Sequence, residues 1–191
     1  MNFIRSHWET LAAIVFFTVE IHTWRGLMRY MVLFAVELCS RKVEITGIIP
    51  QANGEWMKQM GRNFSDPISG FLRGKRYVIH DRDPLFTREF AQILKTACIQ
   101  VVKTPKQSPN LNAYAERFVR SIREECLSKI ILSSEKQLRH VLSQYLEYYH
   151  HERIQQGISK IIEPRHDGCK GGIASIERLG ALLKSYCRQA A

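Results

Sequence analysis

Three β-rich stretches, separated only by short turns, fill the first fifty residues of this chain. Residues 11–20 are almost continuously apolar, as a strand buried on both faces should be. Thr23-Trp-Arg-Gly26 reads as a turn with Gly26 as the breaker, and residues 27–38 are a second apolar run. Ser40-Arg41 turns the chain again. Residues 42–49 then alternate, with Val43, Ile45, Gly47 and Ile49 on one face and Lys42, Glu44 and Thr46 on the other. A period of two predicts a strand. Short turns leave no room for crossover helices, so the three strands are expected to form an antiparallel meander.

The pattern then changes. Trp56, Met60 and Phe64 recur every four residues behind a candidate cap, Asn53, which predicts a helix. A Pro- and Gly-rich loop covers 66–75, and Arg76 to His80 reads as a short strand. Phe86, Phe90, Ile93, Leu94 and Ala97 mark an amphipathic helix, and Ile99 to Lys103 another short strand. Pro105 and Pro109 bracket a loop. Ala115, Phe118, Val119, Ile122 and Cys126 mark a further helix, and Leu138 to Tyr149 another. The order β-β-β-α-β-α-β-α-α predicts an α/β fold: a mixed five-stranded sheet, three antiparallel strands followed by β-α-β units, with helices on both faces. Glycines and Pro164 predict a loop from about 157, with a short helix resuming over Ile176 to Tyr186. The reading is a core over 1–155 and a tail over 156–191.

Net charge is +10, which points to a polyanionic partner such as nucleic acid; charge alone leaves a merely solvated basic surface as open. No apolar run approaches the ~20 residues of a membrane-spanning helix, so no membrane partner is expected. The N-terminus lacks signal-peptide architecture. Cys39, Cys98, Cys126, Cys169 and Cys187 are odd in number and scattered, which fits a reducing compartment and not a disulfide framework.

Two carboxylates stand out. Asp81 ends the strand of Tyr77-Val-Ile-His-Asp-Arg-Asp83, where side chains at the carboxyl edge of a sheet face a crevice. Glu116 lies in the first turns of its helix, at the border of the apolar stripe. Arg120 and Arg123 fall within roughly 40° of it at 100° per residue. Spaced acids of this kind hold divalent metals for phosphodiester chemistry. For Glu116 alone, ordinary surface ion pairing is the stronger reading.

The stretches Ile79-His-Asp-Arg-Asp83, Ser108-Pro-Asn-Leu-Asn-Ala-Tyr-Ala-Glu-Arg-Phe118 running on to Leu127, and Tyr148-Tyr-His-His-Glu-Arg153 closely resemble the retroviral-integrase-like (DDE) catalytic core of bacterial insertion-sequence transposases. The resemblance runs from about His7 to Glu177-Arg-Leu-Gly-Ala-Leu-Leu183. It implies an RNase H-like fold, a polynucleotidyl transferase, and DNA integration by Mg²⁺- or Mn²⁺-dependent cleavage and strand transfer. Asp81 and Glu116 occupy the second and third acidic positions, as catalytic residues and metal ligands. A bacterial, nucleoid-associated cytoplasmic location follows, with DNA as partner and either a homo-oligomer or association with an intact transposase.

Two departures bear on activity. The family carries its first acid just before a Phe-Phe-Thr-Val-Glu-like stretch; here Phe16-Phe-Thr-Val-Glu20 is present and Val15 stands in the acid's place. Glu20 is roughly 17 Å further along an extended strand, with odd spacing that turns it to the other face. Glu37 is read as structural, with compensation for Val15 as the alternative. The family's upstream helix-turn-helix region is expected to be absent, since fourteen residues precede Val15. Valine offers no lone pair to a metal, so strand transfer is expected to be impaired, and enzymatic status stays open.

Lys103, Lys106, Asn112, Arg117, Arg120 and Arg123 surround the candidate crevice in sequence and are the candidate DNA contacts. Phosphate contacts of this type position DNA without reading its sequence. Adjacent His150 and His151 point to different sides of a helix, which argues for packing over metal binding. Asp83 precedes Pro84 and is read as a turn cap. Trp8, Trp24 and Trp56 are read as core. The alternatives to an integrase-type core are a non-catalytic DNA-binding or oligomerising transposase remnant, and an RNase H-like nuclease unrelated to transposition.

Overall fold

The computed structural model describes residues 6–103, 113–155, 158–164 and 171–188. In it the three opening stretches form β1 (Leu11–Thr23), β2 (Gly26–Glu37) and β3 (Val43–Ile49). There follow α1 (Gly54–Phe64), β4 (Tyr77–His80), α2 (Arg88–Thr96), β5 (Gln100–Lys103), α3 (Ala113–Glu125) and α4 (Glu135–His151). A hairpin of β6 (Ile173–Arg178) and β7 (Leu183–Arg188) completes the order. The main sheet runs β3-β2-β1-β4-β5. β2 and β3 are antiparallel, while β4 is parallel to both β1 and β5. This is the mixed five-stranded sheet expected from the element order.

The chain divides into two compact units: Met1–Glu20 with Leu27–Val119, and Ile21–Gly26 with Arg120–Ala191. In the first, Ala12 and Ile14 of β1, Leu33 and Ala35 of β2, and Val78 of β4 pack against Met57, Met60 and Phe64 of α1 and Phe90 and Leu94 of α2. The opposite face of the sheet meets α3, where Phe118 lies 5.0 Å from Phe34, itself 5.7 Å from Phe17. Strand side chains alternate between faces, so Ala12, Ile14 and Phe16 of β1 serve the α1–α2 layer while Val15 and Phe17 face the α3 side.

Local chemistry sets the helix starts. Asn53 accepts the Trp56 amide at 2.9 Å, Thr87 accepts that of Phe90 at 3.2 Å, and Ser134 accepts that of Gln137 at 3.2 Å. Each satisfies one amide that lacks an intrahelical partner. Gly47 marks the closest approach of α1 to the sheet, because a Cβ there would fall 2.4 Å from the Trp56 ring. The strict alternation expected over 42–49 is broken. Leu33 pairs with Gly47 but Phe34 with Ile45, which leaves Thr46 as a bulge residue. Gly47 and Ile48 are consequently both buried.

In the second unit, Glu125 at the end of α3 accepts from Arg153 Nε at 3.0 Å and Nη2 at 2.6 Å, and from the Tyr145 hydroxyl at 3.1 Å. Burial, with the Glu125 charge beside it, pushes the Tyr145 phenol far above its ordinary range. Burial likewise pushes the Cys126 thiol up to about 11. The short helix expected over Ile176 to Tyr186 is not present: these residues belong to the β6–β7 hairpin. Its turn passes through Leu179, Gly180 and Ala181, all at positive φ. Glu152 accepts from Arg178 of β6 at 2.8 Å and from Ser185 of β7 at 2.6 Å, so the hairpin is tied to the end of α4. No helix among the described residues is long and apolar enough to cross a membrane.

Candidate active site

The parallel pairing of β1 and β4 decides which residues meet at the sheet's carboxyl edge. Leu11 pairs with Tyr77, Ala12 with Val78, Ala13 with Ile79 and Ile14 with His80. The paired register ends there: Val15 is the next residue of β1, and Asp81 is the first residue after β4. Neighbouring strands lie about 4.8 Å apart. Facing residues of a parallel pair project to the same side, and for Val15 that is the α3 side, as its parity with Phe17 requires. His80, the last residue of β4, stacks on Phe86 at 4.2 Å, and Asp81 follows directly after the strand.

Asp81 is half-buried, and its Oδ1 accepts the Asp83 amide at 3.1 Å. Asp83 Oδ1 in turn accepts the Leu85 amide at 2.8 Å, which makes Asp83 a turn cap. Val15 is 8% exposed.

Glu116 sits in the first turn of α3 and is exposed, while Ala115 and Phe118 on the same helix are buried. That first turn is pinned by a residue whose role the sequence did not reveal. The Arg41 guanidinium lies 3.2 Å from the Tyr114 ring centroid and 5.4 Å from that of Trp8. Trp8 and Tyr114 themselves meet edge to face at 5.4 Å. Arg41 Nη1 is buried without a hydrogen-bond partner, so contact with the two aromatic faces is what offsets its desolvation. In the sequence Ser40-Arg41 signalled only a turn. Its backbone does turn through positive φ at Arg41, but nothing local identifies Tyr114 as the partner.

Glu37 is committed elsewhere. It accepts from Ser40 Oγ at 2.7 Å and pairs with Lys75 Nζ at 3.3 Å. It shares the parity of Leu33 and Ala35, and so belongs to the face opposite that of Val15. Glu20 is exposed and pairs with Arg29 at 3.1 Å. Arg117, Arg120 and Arg123 are exposed along α3. The backbone of Lys103 ends β5 in register with His80. Lys106 and Asn112 lie outside the described residues. His151 Nδ1 is 2.7 Å from the Glu163 carbonyl and His150 is buried, which agrees with packing roles.

A centre for two divalent ions would need several oxygen ligands from carboxylates. The residues present do not fit one: Val15, on β1 next after the partner of His80, offers only methyl groups. Among the described residues no three His, Cys, Asp or Glu side chains converge as a ligand set.

Residues 97–161 match the family described as Integrase core domain, a span that includes Glu116 but neither Asp81 nor Val15. No curated protein matches the chain. Among solved structures, it resembles the HTLV-2 integrase catalytic core domain in complex with magnesium, with TM-score 0.60 and 10% identity, over 81% of this chain and 93% of that one. A simian T-cell lymphotropic virus intasome in complex with the PP2A regulatory subunit B56 gamma is similar at TM-score 0.59 and 13% identity, over 95% of this chain and 67% of that one. The catalytic core domain of BIV integrase is similar at 0.52 and 17%, over 78% and 88%. The fold is the RNase H-like fold of these cores.

Proposed function

We propose, for a chain that carries an integrase-like core, that it binds DNA along the basic surface near Asp81 and Glu116 while the strand-transfer chemistry of such cores is disabled at Val15. The observation that supports this reading is the parallel pairing of Ile14 with His80, which makes Val15 and Asp81 the next residues along the two chains. An acid at that position would share a metal with Asp81; valine supplies no oxygen and presents apolar surface instead. Asp81 and Glu116 alone suit at most one weakly held Mg²⁺ or Mn²⁺, since Mg²⁺ is held by one or two carboxylates together with waters and phosphate oxygens.

The net charge of +10 supports DNA as the partner, as do the exposed Arg117, Arg120 and Arg123. Arg117, Arg120, Arg123, Lys103, Lys106 and Asn112 are the proposed contacts. The HTLV-2 core is described in dimeric and trimeric forms, and assembly with a second copy or with an intact transposase fits the same reading. The proposed setting is the bacterial nucleoid.

Binding to a fluorescein-labelled duplex tests the proposal. Affinity should be the same in chelator as in Mg²⁺. It should fall steeply with salt, with a log–log slope near −0.9 for each phosphate neutralised. Strand cleavage by the unmodified chain in Mn²⁺ should be absent; robust cleavage would overturn the reading, as would DNA binding that requires metal.

A further inference from the structure

The β1–β2 turn carries a side chain that the fold does not use. Trp24, read from the sequence as core, is 88% exposed, whereas Trp8 and Trp56 are half-buried. An aromatic side chain of this size usually contributes 150–250 Å² of buried surface, and leaving it in water forgoes that gain. Its turn is nonetheless well built. Thr23 Oγ1 donates to the Gly26 carbonyl at 2.8 Å and accepts the Arg25 amide at 3.3 Å. Gly26 closes the turn at φ 108°, a conformation side-chain-bearing residues avoid. The Arg25 guanidinium lies 4.5 Å from the Trp24 ring centroid. No acidic residue occurs between Ile21 and Met28. The two residues after the turn, Leu27 and Met28, are also exposed.

We infer that Trp24 and Arg25 form a base-stacking site for unpaired DNA, with the indole against an unstacked base and the guanidinium toward the adjoining phosphate. Pairing of an aromatic platform with a cation is how sequence-tolerant single-strand sites are made. Exposed apolar side chains beside it suit entry next to an opened base step. The absence of acids favours a polyanion over an uncharged protein surface. This inference rests on the DNA-binding reading above and adds the state of the DNA that the turn selects.

The test uses the full chain, a blunt labelled duplex, and the same duplex with a single-stranded extension, with anisotropy and tryptophan emission both recorded. The unmodified chain should prefer the extended duplex by about tenfold, within the range typical for one stacked base, and its emission should be quenched on binding. Trp24→Ala should bind blunt duplex normally but lose both the preference and the quenching; Trp24→Phe should retain most of the preference. Equal binding of both duplexes by the unmodified chain and Trp24→Ala would overturn the stacking site alone. Failure of every duplex to bind would overturn the DNA reading as well. A change of oligomeric state in Trp24→Ala with DNA binding intact would assign the turn to a protein interface and overturn the stacking site.

Discussion

Val15 and Asp81 are the residues that directly follow Ile14 and His80, the last pair in the parallel register of β1 and β4. Val15 shares the parity of Phe17 and so belongs to the face of the sheet that carries α3. In the proposed reading an acid has been lost at position 15 while the surrounding scaffold is kept. The strands that would present it, the turn that holds Asp81 and the helix that carries Glu116 are all in place.

In the proposed reading Glu37 does not stand in for an acid at position 15. Its carboxylate is held by Lys75 and Ser40 on the other side of the sheet. Glu37→Gln should leave Mn²⁺ binding unchanged and lower stability by about 1–2 kcal/mol through the weakened ion pair. Mn²⁺ calorimetry and urea unfolding check both statements; a loss of metal affinity would place Glu37 in the site.

Arg41 anchors the start of α3 through Tyr114. Arg41→Ala should destabilise the fold by about 1–2 kcal/mol, from the lost cation–π contact and packing of its stem. Amide exchange at residues 113–117 should accelerate more than exchange across β1. Uniform acceleration would contradict a specific anchoring role.

Glu152 ends α4 with a side chain only 6% exposed, paired with Arg178 at 2.6 Å. Arg178→Met removes the cation and leaves the carboxylate buried, which should cost about 3 kcal/mol. Adding Glu152→Gln should recover a substantial part. Chemical denaturation of the two variants measures the coupling, and strictly additive losses would count against the pair.

Much of this architecture was legible because burial writes itself into residue order. β1 and β2 lie inside the sheet with layers on both faces, so they read as apolar runs. Asn53 and the four-residue recurrence after it announced α1. The register that pairs Ile14 with His80 was not legible, because 66 positions separate them and no local signal sets parallel pairing. The Thr46 bulge hid within an apparent alternation. The β6–β7 hairpin was misread since Ile176, Leu179, Leu183 and Tyr186 imitate helical spacing. Its turn also uses Leu179 and Ala181 at positive φ, where Asn or Gly would have announced it. In the candidate site, the acids were visible as residues at strand and helix ends. The Arg41–Tyr114 contact and the exposure of Trp24 depend on tertiary placement, which composition does not encode.

In the proposed reading Val15 occupies the place of a metal-binding acid. Calorimetric titration of Mn²⁺ into Val15→Asp, compared with the unmodified chain, tests it directly. The added carboxylate should tighten binding by on the order of tenfold or more, since ligand charge count sets affinity at such sites. The gain should disappear in Val15→Asp combined with Asp81→Asn. A folded Val15→Asp protein that binds Mn²⁺ no more tightly than the unmodified chain would contradict the account.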